Sequence, residues 1–464
     1  MSKLKTYDLI CLGGGSAGFN AARVAADLGR KVAVVDGARE LGGLCILRGC
    51  MPSKTLIFVA ETLHAAQHAD RLGLRVPRAH ADMAAVHRRK KRLIAEFAAH
   101  RLKALEDGRF DLYHSNGRFF DAHTIELADG RRIRGRKFLI GTGSKVDVPP
   151  VPGLREARFW TSDDVLELDF VPRSVLVLGG GIVACELAQF LNRIGSRVTL
   201  IQRSRNILRD HSEEASQVVQ KAFVDEGIEL LAGTQILGLT QTRRETVVRF
   251  QHDGKVRTRR AAHLFNALGR APNTGGLGLE NAGVKLSPHG RIRTNRWQQS
   301  SAPHIYAAGD CAGPADIVHV AIQQAEVAAR HAFRVRGVKP VDYSLLLNVV
   351  FTDPQLATVG LLERDLDERG VPYLTASYPF DDHGKSILME AKRGYVKVLA
   401  EPTRGRILGA EIVGRDAGEL IHSLAVAIAH RATVHSLLKS PWYHPTLSEI
   451  ITYPLEGIAE KLRR

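Results

Sequence analysis

Two cysteines, Cys45 and Cys50, stand five residues apart in the glycine-flanked segment GGLCILRGCMPSK, from Gly42 to Lys54. Such a pair suits a reversible redox disulfide better than a structural staple. On an ideal helix, positions i and i+5 lie too far apart and point in different directions for the short Cα–Cα span of a disulfide. A bridge here requires a distorted turn, which Gly49 can supply, with Pro52 following in the first turn of a helix. Cys50 then falls at that helix's N-terminal end, where the backbone partial charge favours a thiolate. Two buried, inert thiols are the alternative.

A redox pair needs a source of electrons, and the chain repeats a nucleotide-binding pattern on either side of its first third. YDLICLGGGSAGFNAARVAADLGRKVAVVDGAR, from Tyr7, is echoed by RSVLVLGGGIVACELAQFLNRIGSRVTLIQRSR, from Arg173. A constant offset of 166 residues links Gly13 to Gly179, Gly29 to Gly195 and Asp36 to Gln202. Each copy reads as a buried strand, a glycine turn, an alanine-rich helix and a second β-branched strand. Two such units in register are far stronger evidence than one isolated glycine motif. In the first, Gly13, Gly15 and Gly18 allow a pyrophosphate to sit on the helix N-terminus, and Asp36 is placed to bind a ribose diol. In the second, Gly179, Gly181 and Ala184 repeat the turn, but Gln202 replaces the carboxylate and Arg203, Arg205 and Arg209 follow. Guanidinium groups in place of a carboxylate favour a 2′-phosphate, hence NADP(H) over NAD(H). Ordinary surface charge is the other reading of these arginines.

Composition bounds the setting. The 464 residues, 44% hydrophobic and 25% charged, suit a globular enzyme of two to four domains. No stretch approaches the ~20 apolar residues of a membrane span, and the N-terminal apolar run is too short for a signal peptide. Five cysteines leave an odd one and no framework of pairs, so a cytoplasmic location is expected. The formal charge of +16 invites nucleic acid, membrane surface or phosphate-bearing cofactors as partners. The densest basic run, HRRKKR from His87 to Arg92, reads as the solvated face of an amphipathic helix, and no nucleic-acid motif accompanies it. His64 and His68, four apart, read as a solvated helix face with no third metal ligand, and no metal is expected. Cys11 and Cys185 read as small apolar fillers. From spacing alone, Thr446 and Glu449 in HPTLSE form a T-x-x-E capping box behind Pro445.

Taken together, GGLCILRGCMPSK and the two nucleotide units resemble the flavin-dependent pyridine nucleotide–disulfide oxidoreductases, the family of dihydrolipoamide dehydrogenase, glutathione reductase and mercuric reductase. The likeness runs the whole chain. GTGS (Gly141 to Ser144) and NALGRAPNT (Asn266 to Thr274) resemble the family's crossover segments, IYAAGD its second flavin motif, FTDPQLATVG its interface-domain opening and HPTLSE its acid–base motif. The resemblance implies an α/β fold with two Rossmann-like nucleotide-binding domains and a C-terminal α+β dimerisation domain. An FAD domain would be split between about 1–150 and 271–340, an NAD(P) domain would span 151–270, and an interface domain 341–464 would make a homodimer. The proline cluster PPVPG at Pro149 to Gly153 independently marks the first boundary.

The resemblance also implies roles. Cys50 would be the cysteine nearer the flavin, Cys45 the one that exchanges with a disulfide substrate, and His444 the base, reaching the other protomer's pair, with Glu449 orienting its ring. Lys54 and Glu186 would pair beside flavin and nicotinamide. Gly43, Gly117, Thr142, Gly143, Gly269 and Asp310 would join the cofactor contacts. The cysteine segment and FTDPQLATVG look most like lipoamide dehydrogenase and mercuric reductase. Mercuric reductases carry a terminal cysteine pair and lack the histidine, whereas this chain ends EGIAEKLRR and has His444. Lipoamide dehydrogenases usually carry an acidic residue where Gln202 stands. Arg23 falls where glutathione reductase contacts glutathione. The expectation is a lipoamide-type disulfide oxidoreductase acting on a lipoyl or small-molecule disulfide. Reduction of glutathione or another small disulfide, a mercuric-reductase-like activity, and a cysteine-independent NAD(P)H oxidase or transhydrogenase are the alternatives.

Overall fold

The structure, a computed structural model, describes residues 4–463. Its first unit follows from a buried apolar run that meets glycines. β1 (Lys5–Leu12), α1 (Ser16–Asp27) and β2 (Val32–Val35) form a strand–helix–strand unit, with β1 and β2 parallel and Leu12 opposite Val35. Gly13, at φ +96°, makes the turn, and a Cβ there would collide with the Gly141 carbonyl. A Cβ on Gly18 would strike the Gly13 carbonyl, so only glycine lets α1 pack this close. The chain then forms α2 (Leu44–Arg48), α3 (Cys50–Gln67) and α4 (Met83–Leu105) before returning to the sheet. Strands β3 (Asp111–Tyr113), β4 (Gly117–Asp121), β5 (Thr124–Leu127) and β6 (Arg132–Ile140) complete the order β3-β2-β1-β6-β5-β4. The distant strand Ile305–Ala307 pairs with β6, so the chain re-enters this sheet after a long excursion.

That excursion contains the second unit. β7 (Ser144–Val146) leaves the first sheet, and α5 (Ser162–Leu166) is capped reciprocally by Thr161 and Asp164. β8 (Ser174–Leu178), α6 (Ile182–Arg193) and β9 (Arg197–Ile201) then repeat the parallel strand–helix–strand turn, with Leu178 opposite Ile201. Glu229–Leu231 and His263–Asn266 flank them in a parallel four-stranded sheet. An antiparallel three-stranded sheet from Gln235 to Ala261 covers one side. Arg270–Pro272 pairs with β7 and brings the chain back to the first sheet.

The C-terminal part is an antiparallel five-stranded sheet built from residues 347–414. The helices Ala417–Ala429 and Thr452–Leu462 bury Ile421, Leu424, Leu455 and Ile458 against Val396, Val398 and Ile412 of its strands. The architecture is therefore α/β with two Rossmann-like sheets and a separate α+β unit. No helix is long and apolar enough to cross a membrane among the described residues.

Candidate active site

The cysteine segment folds as two helices joined at one glycine. Gly42 (φ +145°) and Gly43 (φ +83°) turn the chain into α2, which carries Cys45 and ends at Gly49. Cys50 opens α3, and Pro52 sits in its first turn, buried with Leu56, Ile57, Ala60 and Leu63. The two side chains are half-buried free thiols that act on each other. Interaction with the Cys45 thiol, followed by the charge of Lys54, pulls Cys50 down to about 7 against the opposing effect of burial. Cys45 moves far the other way, first through its hydrogen bond with Cys50 and then through burial. The shifts favour the thiolate on Cys50 over Cys45 in the reduced pair.

Four residues along α3 from Cys50, Lys54 Nζ lies 2.7 Å from Glu186 Oε2. Glu186 is buried on α6, and its second oxygen accepts a hydrogen bond from the Phe351 amide at 2.9 Å. The Lys54 ammonium also sits 4.5 Å above the Phe351 ring. The pair thus joins α3, α6 and the start of the C-terminal unit at one point. In the sequence Phe351 only opens the FTDPQLATVG segment; its contact with Lys54 spans almost 300 residues of chain, and no local signal announces it.

Beside the cysteines lies a cleft of about 470 Å³. Gly13, Gly15, Asp36, Gly43, Gly117, Thr142, Gly143 and Asp310 line it together with Cys45 and Cys50. Asp36 accepts hydrogen bonds from the amides of Gly14 (2.7 Å) and Ala38 (2.9 Å), which fixes its carboxylate at the end of β2. Asp310 accepts one from Ser144 Oγ at 2.6 Å, and Arg270 in turn holds Ser144 through its hydroxyl (2.8 Å) and carbonyl (2.9 Å). These residues fit a flavin dinucleotide. A Cβ on Gly15 or Gly143 would meet almost nothing of the protein and would project into the space where such a ligand lies. Gly18 supports the turn from behind rather than lining the cleft, its space taken by Gly13. Gly269 (φ +145°) lies outside the lining, its carbonyl accepting from the Asp147 amide in the crossover.

The second turn is built alike. Gly179 has φ +114°, Gly181 caps α6, and Ala184 is buried behind them. A Cβ on Gly181 would meet nothing within 4 Å, so the helix N-terminus is open to a phosphate. Gln202 packs beside Gly180 as Asp36 packs beside Gly14. Arg203, Arg205 and Arg209 are exposed; among the described residues only Arg209 approaches a carboxylate, that of Asp210 at 3.8 Å.

His444 is 79% exposed, and its Nδ1 lies 2.9 and 3.1 Å from the two oxygens of Glu449, which is only 9% exposed. It lies outside the lining of the cysteine cleft. The capping box expected from spacing does not form: Thr446 donates to the Tyr443 carbonyl, and the short 3₁₀ turn Leu447–Ile451 has no side-chain cap. The buried Ile450 and Ile451 anchor that turn and aim Glu449 at the imidazole. The solvated faces expected of the basic run and of His64 with His68 hold only in part: Arg88, Arg89, Lys91 and Arg92 are exposed, whereas other members are not. Lys90 in the basic run is almost fully buried, bonded to Glu167 (2.5 Å) and the Leu166 carbonyl (2.6 Å), and His87 joins Glu167 at 2.9 Å. His64 is half-buried against His68, and burial lowers it to about 4. Arg23 is held by Glu326 at 2.8 Å. Cys11, Cys185 and Cys311 are buried core thiols.

Comparison with known proteins agrees with this geometry. The pyridine nucleotide-disulphide oxidoreductase family model matches residues 7–332, and the dimerisation-domain model of the same family matches residues 347–454. The chain belongs to the pyridine nucleotide-disulphide oxidoreductases. It is 33% identical over 444 residues to the mercuric reductase of Staphylococcus aureus, covering 96% of this chain and 81% of that protein. It is 34% identical over 462 residues to the dihydrolipoyl dehydrogenase of Thermus scotoductus, covering 98% of both. The crystal structure of LpdA from Mycobacterium tuberculosis superposes with a TM-score of 0.88 at 29% identity, over 98% of this chain and 100% of that one. The protein is thus an oxidoreductase of the FAD-dependent disulfide class, and its C-terminal unit is a dimerisation domain.

Proposed function

We propose that the enzyme is a homodimer that exchanges electrons between a pyridine nucleotide and a lipoyl or other small-molecule disulfide through Cys45 and Cys50. The observation that carries the reading is the interacting cysteine pair in the wall of a cleft that the first glycine turn also lines. FAD bound in that cleft supplies the electron link between pyridine nucleotide and disulfide. Gly13, Gly15 and the α1 N-terminus hold its pyrophosphate, Asp36 its ribose, and Asp310, with Thr142, Gly143, Gly43 and Gly117, its remaining length. The first sheet with residues 271–340 forms the FAD domain, residues 151–270 the NAD(P) domain, and residues 341–464 the interface.

Cys50 keeps the thiolate at the α3 N-terminus, stabilised by Lys54. Cys45 retains a proton and must lose it before attacking a substrate disulfide, so the reaction needs a base. His444, oriented by Glu449, takes that proton in the opposite protomer, which accounts for its exposure and its distance from its own chain's cleft. Mercuric reductases lack this histidine, so the His444–Glu449 pair supports a thiol-exchange substrate over a metal ion.

Gln202 and the exposed Arg203, Arg205 and Arg209 support NADP(H) over NAD(H), with Gly179, Gly181 and Ala184 shaping the turn. Three buried, unpaired thiols suit a reducing cytoplasm. The test is dihydrolipoamide oxidation by the purified flavoprotein with NAD⁺ and NADP⁺ in parallel. Turnover that is faster with NADP⁺ is expected; equal or faster turnover with NAD⁺ overturns the nucleotide assignment. No turnover with either moves the substrate to glutathione disulfide or another small disulfide reduced by NADPH.

A further inference from the structure

Glu449 has a second imidazole behind it. His383 is completely buried where the strand Leu374–Pro379 gives way to the short helix Gly384–Leu388, far upstream of the HPTLSE segment. Its Nε2 lies 3.4 Å from Glu449 Oε1, the same oxygen that stands 2.9 Å from His444 Nδ1. That Nε2 is buried and completes no hydrogen bond, its 3.4 Å approach to Glu449 being an electrostatic contact. Its Nδ1 lies 2.8 Å from Ser386 Oγ. We propose that His383 is a positioning residue for the acid–base pair: through this contact its Nε2–H keeps the Glu449 carboxylate aimed at His444.

The tautomer follows from the neighbours. The Ser386 hydroxyl has no other side-chain or backbone acceptor among the described residues, so it donates to Nδ1 and leaves the ring proton on Nε2, facing the carboxylate. Glu449 is nearly buried, and a buried polar group needs partners that fix its orientation. A neutral N–H supplies one without placing a second positive charge beside the imidazolium that forms at His444. Burial, which disfavours charging of His383 more strongly than Glu449 favours it, keeps the ring neutral. The other titratable groups facing this cluster are Tyr453, whose ring meets His383 edge-on at 6.1 Å, and Tyr378, stacked on Tyr453 and bonded to Asp382 at 2.9 Å. Neither reaches Glu449.

This inference rests on His444 acting as the base, and its test reads the imidazole directly so that the two can fail separately. In the flavin-loaded dimer, the ring resonances of His444 are titrated by NMR in wild type, His383→Leu and His383→Asn, alongside the pH profile of kcat/KM. Loss of the contact lets the Glu449 carboxylate turn away from His444, so His383→Leu should move the His444 midpoint acid by about half a pH unit or more. The pH–rate profile should move with it. His383→Asn, whose amide can still donate, should restore most of the shift. In a Glu449→Gln background, His383→Leu should add nothing. An unchanged midpoint in folded, flavin-containing His383→Leu, or an equal shift without the Glu449 carboxylate, overturns the proposal. Should the leucine variant lose its flavin, Ser386→Ala keeps the ring but frees its tautomer; it should give a smaller shift of the same sign, and no shift is again contrary. Full disulfide turnover in His444→Ala would remove the base assignment while leaving the measured His383–Glu449 coupling intact.

Discussion

At the residue scale, the chemistry divides between two thiols of opposite character. Cys50 titrates near 7 because Cys45 and Lys54 stabilise its thiolate. The ultraviolet thiolate signal of the reduced enzyme should therefore rise with a midpoint about there, and Lys54→Met should move it upward; an unmoved midpoint removes Lys54 from the account. The same shift carries a stability consequence. The lowered Cys50 thiol contributes stability to the reduced protein that is gained between about 7 and the ordinary thiol range and lost as pH falls through about 7, while above that range the raised Cys45 thiol opposes it. His444→Ala should leave flavin reduction by the pyridine nucleotide intact and lower disulfide turnover by about 10²–10⁴-fold, the usual worth of a general base. Stopped-flow and steady-state rates separate the two. The cysteine pair and the histidine were legible because each sits in a short, dense motif. Lys90, Phe351 and His383 were not, because their partners Glu167, Lys54 and Glu449 lie far away in sequence and only the folded chain brings them together.

At the scale of elements, the two strand–helix–strand turns use glycine for different ends. Gly13 is held at positive φ against the Gly141 carbonyl, so Gly13→Ala should give a destabilised protein with little flavin, seen in its absorbance and thermal unfolding. Gly181 has an ordinary backbone and open space where a Cβ would go. Gly181→Ala should therefore fold and keep its flavin but raise the KM for the pyridine nucleotide. Loss of flavin from that variant would show that the second turn does not serve the second nucleotide. Both turns were readable from glycine spacing and the 166-residue repeat, since a tight turn under a helix admits few other residues. Spacing alone points the T-x-x-E segment to a cap for the opposite reason. Its spacing satisfies a local cap, yet the buried Ile450 and Ile451 orient Glu449 toward His444 instead.

At the scale of the whole molecule, the fold distributes one reaction over three units. The Lys54–Glu186–Phe351 contact ties both nucleotide sheets to the C-terminal unit at the cysteine end of α3. His444 lies outside the cleft that holds the cysteines, so the account requires two chains per active centre. Cys45→Ser and His444→Ala protomers are each expected to be inactive alone. Co-expressed, they should regain turnover, because a mixed dimer contains one centre with both an intact pair and an intact base. No recovery in a demonstrated mixed dimer would place the base in the same chain. The three-unit order was legible in the motif sequence from glycine turn to HPTLSE. The substrate was not, since no motif around Cys45 and Cys50 marks which disulfide they would meet.

The central claim is that the cleft feeds electrons to Cys45 and Cys50. The most direct measurement is to count alkylatable thiols in the holoenzyme before and after anaerobic reduction by a pyridine nucleotide, and to map the labels by peptide mass. The account predicts two new thiols per chain, at Cys45 and Cys50. Bleaching of the flavin with no gain in thiols would contradict it.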